Sequence, residues 1–291
     1  MPKPRELRRR IRSVQNTRKI TRTMELVATS KLKRWQDRVV AARPYAAALG
    51  EVIADLYAPE LAERFPLLRR PAGPPRRAAL VLLTANRGLC GAFNANLIRA
   101  ARQRLEELEG AGAAVALHVI GKKGVSYFRF AKRALASQRT DIGDRPRPEH
   151  AAEIAAPLMA EFAAGALDAV ELVFAEFRSP ISTPAVALRI LPVRPPAAAG
   201  APGRRANYLL RPSAEALLER LVPLYVRNQV YRALVETAAA FYGAQRTAMK
   251  SATDNAGEML DLLQRTYNRA RQAQITQELA EIVGGAEALK G

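Results

Sequence analysis

The sequence predicts an α/β protein in which a long antiparallel coiled coil, made by the N- and C-terminal helices, carries an inserted domain of mostly parallel strands. Three observations lead there. After Pro223 the chain runs to Val283 with no further proline and only Gly243 and Gly257 as glycines, far beyond the about 11–12 residues of an ordinary helix. A second long helical pattern occupies residues 5–57. Between the two, short apolar runs alternate with helical segments, the order that builds a parallel sheet covered on both faces.

Stepping alternately by four and three from Leu7 gives Ile11, Val14, Arg18, Thr21, Glu25, Ala28, Leu32, Trp35, Val39, Ala42, Ala46, Leu49, Ile53 and Leu56, the repeat of a coiled-coil seam. The seam is apolar at both ends and polar at Arg18, Thr21 and Glu25, where the apolar residues slip one place to Ile20, Met24 and Val27. Two readings stand. Either the helix turns there from its intramolecular partner toward another surface, or the coil adjusts its register locally. Pro44 removes a backbone donor and is expected to bend the helix.

Charge gathers in this helix. Residues 1–40 hold thirteen Lys and Arg, among them Arg8, Arg9, Arg10, Lys31 and Lys33, against Glu6, Glu25 and Asp37. That is over half of the chain's net charge of +19. A band so basic calls for an acidic partner, whether nucleic acid, anionic lipid or protein. No apolar run approaches the length of a membrane span, and the N-terminus lacks the apolar core of a signal peptide. A lone cysteine, Cys90, excludes an intramolecular disulfide and fits a reducing cytoplasm.

From Pro59 to Arg77 the chain is rich in Pro and Arg and reads as a linker. Strands are expected at 79–83, 115–120, 134–139 (the weakest), 169–177 and 185–191, with helices near 94–109, 123–130 and 149–164. The alternation is Rossmann-like. A second Pro/Ala/Gly/Arg linker leads to the C-terminal helix. The expected boundaries are a helix at 1–58, a linker at 59–77, the α/β domain at 78–192, a linker at 193–211 and a helix at 212–291.

Two rows seven residues apart run along that last helix. One holds Leu221, Asn228, Val235, Tyr242, Met249, Ala256, Leu263 and Ala270; the other holds Leu224, Tyr231, Ala238, Gln245, Ala252, Met259, Thr266 and Ala273. Some sixty helical residues span roughly 90 Å, and no lone helix of that length buries its stripe. The N-terminal helix is its partner, and the longer C-terminal tip is expected to project beyond it. Gly257 costs the helix about 1 kcal/mol relative to alanine, either as tolerated drift or to admit a neighbouring backbone.

The α/β insert invites an enzyme reading, which the residues do not sustain. Asn86-Arg87-Gly88-Leu89-Cys90-Gly91 follows a strand and precedes a helix, where phosphate loops sit. It lacks both the Walker spacing and a G-x-G-x-x-G, so it reads as a structural turn. Cys90 has no evident base, since His118 falls inside a strand and His150 in a Pro-rich loop. The three match no metal-ligand spacing, and no carboxylate pair stands out for acid–base work. No catalytic residue, cofactor or metal is expected.

Both ends carry long, ungapped motifs. Ser13-Val14-Gln15-Asn16-Thr17-Arg18-Lys19-Ile20-Thr21, continuing through Met24 to Lys31, resembles the N-terminal helix of the gamma subunit of F-type ATP synthases. Ala248 to Ala256 and Tyr267 to Leu279 resemble that family's C-terminal signatures, and Arg87 to Gly91 its first insert loop. The resemblance implies a non-catalytic rotor shaft, one copy per complex, standing in a ring of α and β subunits. Its foot would bind the epsilon subunit and the ring of membrane c subunits, at the cytoplasmic face of the bacterial inner membrane.

By matching positions, Met24 is implied to face a β loop opposite Arg246 and Arg271-Gln272, with Arg271, Gln272, Thr276 and Glu278 meeting a β catch loop. Ile282, Val283 and Leu289 would form a tip bearing, and Arg87, Tyr208 and Arg211 belong to the foot. Asn86 stands where many members carry Asp, and Arg211 where several carry Glu. A basic coiled-coil protein that binds nucleic acid is the alternative function, tested by salt-dependent affinity for DNA.

Overall fold

The computed structural model describes residues 4–56, 64–69, 73–143, 145–194 and 213–288, the side chains of 287 and 288 excepted. Two very long helices, α1 (Pro4–Leu56) and α5 (Ala214–Ala288), enclose the rest in sequence. In between come β1 (Arg77–Leu83), α2 (Phe93–Gly110), β2 (Ala114–Ile120) and α3 (Lys122–Phe130). Then follow β3 (Ser137–Arg139), α4 (Pro148–Ala163), β4 (Ala169–Ala175) and β5 (Ala185–Leu191). α1 runs through Pro44 and α5 through Pro223 without ending. The chain divides into two compact units, one of residues 29–245 and one of residues 1–28 with 246–291.

The larger unit is built on a five-stranded sheet of order β3-β2-β1-β4-β5. The first four strands are parallel, and β5 returns antiparallel to β4. β1 lies at the centre, and its apolar run from Ala78 to Leu83 is buried throughout, as a strand covered on both faces requires. Ala79, Val81 and Leu83 face one core with Ile154, Leu158 and Phe162 of α4 and Leu218, Val222, Val226 and Val230 of α5. Ala78 packs on the other face with Leu108 of α2. The Pro-rich stretch before β1 is more than a tether. A 3-10 turn at Pro66–Leu68 drives Leu68 into the core, and Leu67 O accepts the Val193 amide at 3.0 Å.

Thr84 and two glycines set the crossing of β1, β2 and α3. Thr84 Oγ1 donates to Ile120 O at 3.0 Å and accepts the Gly124 amide at 3.0 Å. Gly121 has φ +102°, and a Cβ there would stand 2.1 Å from Thr84 O. Only glycine fits. On the α2 face of β4 the buried Glu171 accepts Arg104 Nε at 2.6 Å and Arg189 Nη2 at 2.8 Å. Burial by itself would push the Glu171 carboxyl up; the hydrogen bonds from Arg104 and Arg189 outweigh it and hold it below the ordinary glutamate range.

In the smaller unit α1 and α5 pair antiparallel. Arg8 Nη2 donates to Tyr267 Oη at 3.0 Å, Arg18 packs on Gly257, and Thr253 Oγ1 and Thr21 Oγ1 are 2.8 Å apart. The seam expected for α1 keeps its register: here Leu7, Thr21, Glu25 and Ala28 are buried and Ile11 and Val14 half-buried. A local register adjustment is therefore not seen, while Ile20 and Val27 are exposed on a face of their own. Thr21 and Glu25 stay in the seam, satisfied by hydrogen bonds, Arg18 is exposed where it lies over Gly257, and Ile20, Leu26 and Val27 face outward.

On α5 the row Met249, Ala256, Leu263, Ala270 is the seam row, but its companion lies four residues on, at Thr253, Leu260 and Tyr267. The expected companion, three residues on, is only partly buried at Ala252 and exposed at Met259. Gly257 does not admit a backbone: its neighbour is the Arg18 guanidinium, 3.7 Å from a Cβ position.

Candidate functional site

The antiparallel register decides which site residues share a level. Thr21 beside Thr253 and Arg8 beside Tyr267 place Met24 level with Lys250 and Ser251. Arg246 lies about 7 Å along the axis from that level, but Arg271 and Gln272 lie about 30 Å away at ~1.5 Å per residue. Met24 and Arg271-Gln272 are therefore not opposite one another, contrary to the arrangement implied by the resemblance. The same register exhausts α1 near Arg271, because α1 begins at Pro4.

Past that point no described residue of α1 lies level with α5, and every described side chain from Arg271 to Ala286 is exposed. Thr276 Oγ1 merely donates back to Gln272 O at 3.0 Å, and Glu278 accepts Gln274 Nε2 at 2.8 Å. Ile275, Leu279, Ile282 and Val283 stand at helical spacing on this bare end, the last two 68% and 63% exposed. Exposed apolar stripes mark contact surfaces in proteins generally. Leu289, Tyr208 and Arg211 lie outside the described residues.

The basic band is not uniform. Arg9 and Arg10 are exposed, but Arg8 clasps Tyr267 by its hydrogen bond and lies 5.7 Å from the ring centroid. Lys33 pairs with Asp37 at 2.8 Å. In the larger unit Lys31 Nζ donates to the buried Tyr242 hydroxyl at 3.2 Å. Two of the five named cations therefore hold helices together as well as carrying charge.

Beyond the C-terminal ends of the parallel strands, Asn86 ties three loops. Its Oδ1 accepts the Lys122 amide at 2.9 Å, and its Nδ2 donates to Thr140 O at 2.9 Å. An aspartate could accept the first bond but not donate the second, which gives the amide a physical role here. The neighbouring Arg87 is exposed, Leu89 takes φ 60°, and Cys90 is buried, its thiol pushed up chiefly by that burial. His118 Nδ1 is 2.7 Å from Ser137 Oγ, and burial pulls its pKa down. His150 sits in the first turn of α4 rather than in a loop, buried beside Arg147. Among the described residues no three His, Cys, Asp or Glu side chains are placed to hold a metal ion, and no helix is long and apolar enough to cross a membrane.

Solved structures share this fold. The central stalk of the Tetrahymena thermophila mitochondrial ATP synthase, solved with its c ring, matches with a TM-score of 0.61 and 25% identity, covering 80% of this chain and 99% of that one. A chain of the Euglena gracilis mitochondrial ATP synthase matches with a TM-score of 0.66 at 20% identity, covering 98% and 94%. The class defined is the rotor central stalk of ATP synthases. The ATP synthase family model matches residues 3–289. The ATP synthase gamma chain of Gemmatimonas aurantiaca is 64% identical over all 291 residues of both chains, and that of Moorella thermoacetica is 45% identical over 98% of this chain and 99% of its own. This chain belongs to the ATP synthase gamma-chain family, and nothing in these likenesses supports a nucleic-acid-binding role.

Proposed function

We propose that the chain works as a torque-transmitting rotor without chemistry of its own. In this reading ion-driven rotation of the c ring turns the larger unit, and the paired helices turn inside a ring of α and β subunits where ATP is made or hydrolysed. The observation that carries it, beside family membership, is the bare end of α5: a helix that outruns its partner and exposes Ile275, Leu279, Ile282 and Val283 needs a surrounding apolar sleeve. The loop cluster around Arg87, with Tyr208 and Arg211, would meet the epsilon subunit and the c ring. The complex would stand at the cytoplasmic face of the inner membrane, with one copy of this chain.

Coupling requires that the rotor favour different ring conformations at different angles. Exposed ion pairs are worth only about 0–1 kcal/mol each, so Met24, Arg246, Arg271, Gln272, Thr276 and Glu278 would supply many weak contacts that release as the rotor turns. Because Arg8 is engaged with Tyr267, charge-dependent coupling falls to Arg9 and Arg10.

The test is the assembled complex carrying a chain that ends at Leu279. Proton-driven ATP synthesis is expected to fall several-fold while nucleotide binding by the ring is unchanged. Undiminished synthesis would remove the bearing role of the tip.

A further inference from the structure

The larger unit carries a groove of about 990 Å³ that shares only Lys31 and Arg87 with the residues of the rotor reading. It opens beyond the C-terminal ends of β1, β2 and β3, the position where open α/β sheets hold ligands. Its walls are cationic. α1 contributes Lys31, Arg34 and Arg38; the loops after β1 and β2 contribute Arg87 and Lys122; the approach to α4 contributes Arg145 and Arg147. Among the described lining residues the only carboxylate is Asp141, and it is held by Arg139 Nη2 at 2.6 Å. Arg34, Lys122 and Arg145 make no ion pair with a described carboxylate and are exposed.

So many like charges around one concavity repel each other and focus a positive potential into it. The N-terminal turns of α3 and α4, where Lys122 and His150 sit, add the positive ends of two helix dipoles. Guanidinium groups match phosphate oxygens two at a time. The lining also says what does not bind. Trp35 is 3% exposed and covered by Arg38 at 4.7 Å, and Tyr242 is buried, so no open ring offers to stack a base. Ile142 is buried as well, leaving no apolar pocket for the anchor side chain of an acidic peptide.

We propose that this groove is a binding site for a small phosphate-dense anion, recognised through its phosphate chain alone. Pyrophosphate, tripolyphosphate and the phosphate tail of a nucleotide share that chemistry. Occupancy relieves the repulsion among the arginines and ties α1 to the loops of the sheet, so the bound anion stiffens this unit.

The test is calorimetric titration of the full chain with tripolyphosphate in about 0.1 M NaCl, where screening beyond ~10 Å leaves the groove charged. Saturable binding at one site is expected, with a rise in Tm above that given by NaCl at matched ionic strength. In the Arg34→Gln/Arg145→Gln variant the affinity is expected to drop about tenfold or more, while Tm without anion holds or rises. ATP is expected to bind within about threefold of tripolyphosphate, as equal phosphate contacts require. Equal affinity in the variant, or a response no different from NaCl, would overturn the site. ATP binding about tenfold tighter than tripolyphosphate would overturn recognition by phosphates alone, and a polyglutamate peptide outcompeting tripolyphosphate would overturn the small-anion assignment.

Discussion

The two compact units bury polar groups by opposite means. In the α/β unit Glu171 is buried on the α2 face of β4 and held by two arginines from different elements. In the paired-helix unit the seam is one layer deep, and its polar residues Thr21 and Glu25 are satisfied almost locally. One hydroxyl proton bridges Thr21 and Thr253 while another returns to a carbonyl of its own helix, and Arg22 reaches Glu25 at 2.9 Å from three residues away. The thick core specifies position by enclosure. The thin seam has little enclosure to use, and its polar layer marks register, as a buried polar residue does in other coiled coils.

The sharpest way to break this contrast is a single methyl group at two glycines. Gly121→Ala sets a Cβ against Thr84 O at a positive φ and is expected to cost about 3 kcal/mol or more, read as a large fall in the urea midpoint of the sheet-containing unit. At the other extreme Gly257→Ala meets only the Arg18 side chain at ordinary contact distance. It is expected to stabilise the paired helices by up to about 1 kcal/mol through helix propensity, read as a raised melting temperature of the helical signal.

Between these, Glu171→Gln is expected to lose about 2 kcal/mol, the scale of charge-assisted hydrogen bonds. Its pH dependence has a definite sign. The folded carboxyl titrates below its ordinary value, so its contribution is present above about pH 4.3 and disappears as pH falls through the lower folded value. The gap between wild type and variant in chemical denaturation should therefore close in acid. Thr253→Val is expected to cost about 1 kcal/mol by removing the donor to Thr21, which keeps only its bond to Arg18 O, whereas the Thr21→Val/Thr253→Val pair should be nearly neutral, because both polar groups are then gone. A double-mutant cycle measures that coupling. A double-variant loss equal to the sum of the two single losses would show that the hydroxyl pair contributes nothing to the seam.

Much of this architecture was legible beforehand, for reasons visible at particular residues. β1 and β5 were located to within two residues because runs such as Ala79 to Leu83 are apolar, short and bounded by turn residues. The α1 seam runs from Leu7 to Leu56 with Arg18 alone of the listed positions exposed, because a strict four–three step is difficult to produce by chance. What misled was polarity. Thr21 and Glu25 looked like a break in the seam because their satisfaction depends on Thr253 and Arg22, and the Thr253 bond joins residues more than two hundred positions apart. The α5 companion row failed similarly, since Ala252 and Thr253 are both small and only the partner helix chooses between them. His150 reads as a loop residue because Pro146 and Pro148 stand just before it, although Pro148 opens α4.

The cationic groove is not legible in the sequence for a related reason. Arg34, Arg87, Lys122 and Arg145 are scattered over a hundred positions and are unremarkable in a chain with 46 basic residues. Periodicity, the positions of the strands and family membership were determined by the sequence itself, because hydrophobic spacing and long motifs are local properties of the chain. Which face of Gly257 is crowded, where α1 ends against α5, and which arginines share a concavity were decided only by the tertiary structure, because each depends on a distance between residues that the chain brings together by folding.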